Sequence, residues 1–319
     1  MQREFKKKTV TYGVIAVLLA VLLTAVCYNF GGQFTTQSFF LERKTFSSYE
    51  EIKNFLKTNM ELMENVQGRL TFFRGGWEEA QTLSPDVKAA PAHSTTNIQV
   101  EGVDEADIVK TDDEGCLYVV SGNEIYILQA YPPEKARVLS KIVLNETYGI
   151  EIYVKGNRLA VLGNNYMPAV LEYMPYAYAE AFINVYDISN RSEPTLTRTV
   201  SLNGTISGSR MIGDYVYAVI TQPAIRPTVD GKDFEVNLPR IVVNGNSVKE
   251  VQPNEISYVN VSDASYSFTT IMAVNIINDS QEPICETVLT SVTSCMYVST
   301  NNMYLTVPNT NLWILSAET

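Results

Sequence analysis

The feature that most limits the fold of this 319-residue chain is a unit that recurs four times. Residues 111–120, 155–162, 212–220 and 299–307 each run from a tight polar turn into an alternating strand of Val, Ile, Leu, Ala and Tyr. The turns are rich in Gly, Asn and Asp, which supply the positive φ that a hairpin needs. A second apolar strand follows each passage, at 125–128, 182–188, 271–277 and 312–315. Within the units, 185–194 and 274–283 match position for position in length, and both end in Glu-Pro. Four-stranded units at a period above 40 residues, with no helical pattern between them, predict an all-β chain folded as a β-propeller. About three and a half blades fit between residues 95 and 319, so the propeller is expected to be incomplete in this chain, a truncated domain. A two-sheet sandwich is the structural alternative.

The spacing of the units is uneven. Tyr118, Ala160, Tyr217 and Tyr304 occupy matched positions 42, 57 and 87 residues apart. The excess falls between the second and third strands of two units, at 164–181 and 222–269. Equivalent loops of successive blades emerge on one face, so both insertions are expected there, where such folds recognise ligands. The first carries Tyr166, Tyr173, Tyr176 and Tyr178. They are candidate partner-binding residues, an aromatic platform for a glycan or peptide. The plainer reading is a loop packed on its own blade.

Ahead of the repeats lies a different kind of sequence. No charged residue occurs from Thr9 to Leu41, and Lys6, Lys7 and Lys8 stand just before that stretch. Residues 10–30 are long enough to cross a bilayer, and the positive-inside rule keeps the N-terminus cytoplasmic. The sequence therefore divides into a basic tip and signal anchor (1–44), an amphipathic helix and linker (45–94) and the propeller (95–319). The body is expected to be extracytoplasmic on a single-pass membrane anchor. Secretion after signal cleavage is the alternative. In the helix, Ser48 and Glu51 form a capping box, and Ile52, Phe55, Leu56, Asn59, Met63 and Val66 make one mostly apolar stripe.

Charge narrows the partners. The whole chain carries −11, residues 1–44 contribute +4, and the rest is left at −15. Such a body repels phosphate backbones, so nucleic acid is not an expected partner. The lone histidine, His93, removes Ser/His and Cys/His catalysis and most histidine metal sites. Asp104, Asp107, Asp112 and Asp113, with Glu101, Glu105 and Glu114, form the densest acidic cluster, a candidate calcium site without the spacing of a known calcium loop. Its alternative is a solvated turn whose carboxylates cap amides or pair with Lys110. Residues 230–235 are a second, weaker candidate. No cofactor is expected beyond structural calcium. Cys285 and Cys295 are the pair nearest in sequence for a disulfide, against three free thiols as the alternative. Asn145, Asn190, Asn203, Asn260 and Asn278 head N-x-S/T sequons, all at expected turns or loops.

One stretch is distinctive beyond its composition: Ser94-Thr-Thr-Asn-Ile-Gln-Val-Glu-Gly-Val-Asp-Glu-Ala-Asp-Ile-Val-Lys-Thr-Asp112. With residues 46–53, 118–123, 209–217 and 238–241, it resembles prokaryotic secreted or membrane-anchored proteins that contain a C-terminal β-propeller domain, distant relatives of WD40 propellers. The resemblance runs from about residue 40 to the end. It implies the location and the fold, and it brings neither an established activity nor a catalytic residue. The expected function is a surface-displayed binding or interaction module for a protein, a glycan or a cell-envelope component. The alternative is an extracytoplasmic hydrolase or lyase using carboxylates near the propeller axis. No nucleophile, P-loop or dinucleotide motif supports an enzyme, so binding is preferred.

Overall fold

The run Leu159-Ala-Val-Leu162 shows why the blades stack. Leu159 and Val161 are buried in one core with Tyr118, Ile125 and Ile127, whereas Ala160 and Leu162 are buried in another with Val216, Ala218 and Ile220. Successive strand residues point to opposite faces, so a strand apolar at every position must be covered on both sides. The covering layers are the sheets before and after it. The computed structural model describes residues 43–70, 100–166, 179–228, 232–259, 266–290 and 295–307.

In chain order, Arg43–Thr45 (β1) precedes the helix Tyr49–Leu70 (α1), and Val103–Asp104 (β2) precedes the first blade. That blade contains Val109–Thr111 (β3), Cys116–Ser121 (β4), Glu124–Gln129 (β5) and Arg137–Val143 (β6), an antiparallel meander. The second contains Thr147–Lys155 (β7), Arg158–Tyr166 (β8), Ala179–Asp187 (β9) and Thr195–Asn203 (β10). The third starts with Thr205–Ile212 (β11) and Tyr215–Pro223 (β12). An excursion follows through Ile225–Pro227 (β13), Phe234–Val236 (β14), Arg240–Val243 (β15), Ser247–Glu250 (β16) and Ile256–Val259 (β17). The blade then resumes with Ser267–Asn275 (β18) and Ile284–Thr290 (β19). Cys295–Val298 (β20) and Met303–Thr306 (β21) form a last hairpin.

Three blades in succession, not two sheets face to face, make the sandwich alternative untenable. Gly156 and Gly213 each take the first position of a two-residue turn with positive φ, the conformation that lets β7 return as β8 and β11 as β12. The repeat also shows in the backbone. The amide after the third strand donates to the first hairpin turn of its own blade: Ala130 to Gly115, Ile188 to Asn157, and Ile276 to Asp214. These bonds correct the expected match of 185–194 to 274–283. Ile188 corresponds to Ile276, one residue away from the position-for-position pairing, so the third blade holds one extra residue before Pro283.

The excursion at 222–269 is not a free loop. Strand β15 adds to the outer edge of β10, and β16 adds to β15. Strand β17 lies parallel to β19, and β1 completes that edge antiparallel to β17. The helix α1 packs on this thickened edge. Ile52 and Leu56 are fully buried in the larger core, and Phe46 stacks on Tyr258 with ring centroids 4.0 Å apart. The Ser48 hydroxyl accepts from the Glu51 amide at 3.2 Å, as the capping box predicts. The Glu51 carboxylate, however, reaches back to the amide and hydroxyl of Ser47 instead of closing on Ser48.

The span expected at 10–30 and the strand expected at 312–315 lie outside the described residues. Among the described residues, no helix is long and apolar enough to cross a membrane.

Candidate functional site

The first strands of the blades all meet residues 103–111. Val103 and Asp104 pair with Ile212 and Met211 on the free edge of β11 in the third blade. Asp107 then exchanges two backbone hydrogen bonds with Ile152 of β7 in the second blade, at 2.9 and 3.4 Å. Val109–Thr111 becomes the first strand of the first blade. One thread thus runs along the inner edges of three blades, and it is the distinctive stretch noted in the sequence.

Two of the three acidic residues of this thread, Asp104 and Glu105, are spent on the protein's own cations. Lys110 Nζ sits 2.8 Å from Asp104 and donates to the Glu105 carbonyl at 2.6 Å. Lys110 is only 6% exposed, so its charge needs those partners. Arg210, from β11, pairs with Glu105 at 3.1 Å. Asp107 accepts from the Ile108 amide at 2.7 Å, and Asp113 is exposed at a turn. The expected calcium cluster of Asp104, Asp107, Asp112 and Asp113 is therefore not assembled. Among the described residues no group of three metal-ligating side chains occurs. At the weaker candidate, Asp233 pairs with Lys53 at 2.9 Å and Glu235 with Arg226 at 2.6 Å.

Beside the thread, three groups from two blades form a polar chain. Tyr153 and Ser209 share a hydrogen bond of 2.9 Å, and Ser209 lies 3.5 Å from the Glu151 carboxylate. Burial pushes the Glu151 pKa above the usual glutamate value, partly offset by Ser209 and Arg210. The sequence marks Ser209 and Arg210 only as the start of the 209–217 stretch that carries the resemblance, and gives Glu151 no signal. They lie 40 to 107 residues from the acidic motif, and no local signal announces that β7 and β11 flank it.

At the end where strands one and two turn, ion pairs cross between blades. Asp112 of the first blade accepts from the amides of Glu114 and Cys116, from the Tyr118 hydroxyl and from Arg191 of the second blade. Both charges are nearly enclosed, with side-chain exposures of 10% for Arg191 and 6% for Asp112. Between the second and third blades, Asp279 pairs with Arg158 at 3.1 Å, and Arg198 donates to the carbonyls of Gln281 and Asn278.

The opposite end carries the insertions. Tyr166 and Ala179 face each other across β8 and β9, and Pro223 faces Ser267 across β12 and β18. Gly204 at the blade-to-blade crossing donates to Ala179 at 2.8 Å, so both insertions root at this one end. In the first blade the same connection is the two-residue turn Gly122-Asn123. Tyr173, Tyr176 and Tyr178 lie outside the described residues, as does the side chain of Tyr166.

A pocket of about 510 Å³ lies in the first blade, walled by Asp112, Cys116, Leu117, Ala130 and Tyr131. Of its carboxylates Asp112, Asp113 and Glu114, the first is already bonded four ways, and desolvation pushes the buried Cys116 thiol above its usual pKa. A thiol so shifted is not an activated nucleophile. Cys116, Cys285 and Cys295 are free thiols, so the expected Cys285–Cys295 disulfide is not formed. The reason is placement. Cys285 pairs with Met272 inside the third blade and is packed on the larger core, where burial pushes its pKa up to about 11. Cys295 is exposed on a separate hairpin.

A family model described as "Beta propeller domain" matches residues 93–318. An uncharacterized protein of Methanocaldococcus jannaschii is 27% identical over 267 residues, covering 81% of this chain and 36% of that protein. An uncharacterized protein of Archaeoglobus fulgidus is 28% identical over 222 residues, covering 62% of this chain and 33% of the relative. The chain therefore spans about a third of the length of the curated relatives it matches. No solved structure matches it.

Proposed function

The chain belongs to the β-propeller domain family, and from that premise we propose that it is an extracytoplasmic binding module, tethered by its N-terminal apolar segment. Its contact surface is the end that bears the two insertions. The observation that carries this reading is the contrast between the minimal turn Gly122-Asn123 and the connections at 167–178 and 224–266 in the next two blades. Scaffold strands need only the short turn, so the added residues serve something other than closure of the hairpin. Most of the second insertion thickens the outer edge, which stiffens the base from which the first one springs. Tyr-rich and Asn-rich connections held by such a base give broad contact at low entropy cost. A net charge of −15 beyond residue 44 favours cationic or metal-bridged partners over anionic ones.

Because Tyr166 and Ala179 are ladder partners, an Asn-Gly turn can join them in place of 167–178 without disturbing the register. The full chain so altered should melt as the parent does but lose capture of protein or glycan from cell-envelope extracts. Capture that survives the replacement overturns the reading.

A second reading, a hydrolase or lyase at the axis, is favoured by one observation, the raised pKa of Glu151 beside Ser209. Turnover of a glycan or peptide by the full chain, abolished in Glu151→Gln, would establish it in place of the first.

A further inference from the structure

Two turns at the end away from the insertions carry a modification signal that the fold leaves open. Asn190-Arg191-Ser192 and Asn278-Asp279-Ser280 are sequons at equivalent positions of the second and third blades, by the register that Ile188 and Ile276 define. In both, the Asn Oδ1 accepts from the Ser amide two residues on, at 3.1 Å. In both, the Asn carbonyl accepts from the amide three residues on, from Glu193 at 2.9 Å and from Gln281 at 3.2 Å. The middle residue is drawn inward to an interblade ion pair, Arg191 to Asp112 and Asp279 to Arg158. An inward middle residue turns its two neighbours outward, and Asn190, Ser192, Asn278 and Ser280 are all exposed. With Oδ1 turned to the backbone, the Asn Nδ2 is the atom presented to solvent, with the Ser hydroxyl two residues away.

The other described sequons lack one half of this arrangement. Asn203 is engaged on both atoms: Nδ2 donates to the Leu238 carbonyl at 3.4 Å, and Oδ1 accepts from the Arg240 amide at 2.6 Å. Asn145 is exposed, but the hydroxyl of its Thr147 is buried and cannot accompany it.

We propose that Asn190 and Asn278 are N-glycosylation sites, and that Asn145 and Asn203 in the folded protein are not. The inference rests on the extracytoplasmic reading above for its biological setting, although the chemistry of the sites does not. The donor class is a lipid-pyrophosphate oligosaccharide. The Nδ2 forms a bond to the anomeric carbon, the bond from that carbon to the pyrophosphate oxygen breaks, and the lipid pyrophosphate leaves with the electron pair. One Nδ2 proton passes to solvent, and no oxidation state changes.

The test uses the purified, folded full-length chain, a lipid-pyrophosphate donor and an oligosaccharyltransferase that accepts synthetic peptides spanning each of the four sequons. Site occupancy read by mass spectrometry is expected at residues 190 and 278 and at least tenfold lower at 145 and 203. Asn190→Gln and Asn278→Gln should each remove one glycan and leave the other site occupied. Occupancy at 145 or 203 equal to that at 190 and 278, or failure of 190 and 278 while their peptides are modified, overturns it. Because the reaction is run in vitro, either result is independent of where the protein resides.

Discussion

The two blade-to-blade interfaces meet the same demand with opposite charges. Where the first blade meets the second, the later blade supplies Arg191 and the earlier one Asp112. Where the second meets the third, the residue equivalent to Arg191 is Asp279, and the earlier blade supplies Arg158. If the third blade packed on the first, Asp279 would approach Asp112, and two carboxylates would share one enclosed space. Reversing the polarity therefore favours the observed blade order over its shuffled alternatives, an effect of unlike affinities rather than of total stability. The apolar contributions differ too. Among the described residues, thirteen buried ones form the core that includes the first interface, against twenty-six in the core that includes the second, the docked helix and the thickened outer edge. The first interface encloses its ion pair more fully, with side chains 10% and 6% exposed against 18% and 29% at the second, so it depends more on that pair.

That difference orders the mutational effects. Asp112→Ala should be the most damaging, costing about 4 kcal/mol, because it removes the acceptor for two turn amides and the Tyr118 hydroxyl and leaves the enclosed Arg191 only Asn157 and the exposed Glu114. Arg191→Ala should cost about 3 kcal/mol, the low end for breaking an enclosed pair, since Asp112 keeps three other donors. Chemical denaturation of the full chain measures both, and equal effects would remove the distinction. At the second interface, Asp279→Ala should cost only about 1 kcal/mol, because Asp279 is 29% exposed and Arg158 retains Thr197 as acceptor. A cost above that of Arg191→Ala would reverse the ranking. Ser48→Ala, away from both interfaces, should lose about 1 kcal/mol or less of local helix stability, visible as faster amide exchange in the first turn of α1. No change there would mean that the Glu51 contacts with Ser47 suffice.

Glu151 adds a pH dependence of defined sign. Its folded pKa is raised, so the folded state holds the proton more tightly than the unfolded state. Its contribution is therefore least favourable above the folded pKa and improves as pH falls from there toward the unfolded value. Glu151→Gln should flatten that part of the stability profile and raise stability at neutral pH. A profile that stays parallel to the parent's would contradict the sign.

The same contrast shows what a sequence read one residue at a time conveys. Strand periodicity and Gly-containing turns disclosed the blades because both are local. The one-residue slip in matching 185–194 to 274–283 arose because Glu-Pro ends both turns, whereas the aligning bonds from Ile188 and Ile276 reach back to other strands. Calcium was expected at Asp104 and its neighbours because carboxylates crowd there in sequence. Arg210, which occupies that role for Glu105, arrives from another blade over a hundred residues later. The excursion at 222–269 read as a binding loop because its strands are short, and their partners β10, β19 and β1 lie far away in the chain.

The central claim is that the hairpin-turn end holds the blades together, leaving the insertion end for contact. A double-mutant cycle on Arg191→Asp and Asp112→Arg tests it most directly. Each single change should destabilise the full chain by about 3 kcal/mol or more by placing like charges together, and the double change should recover at least 1 kcal/mol of the summed loss. Additive losses with no recovery would show that the pair does not bind the blades, and would return this end of the molecule to consideration as the functional surface.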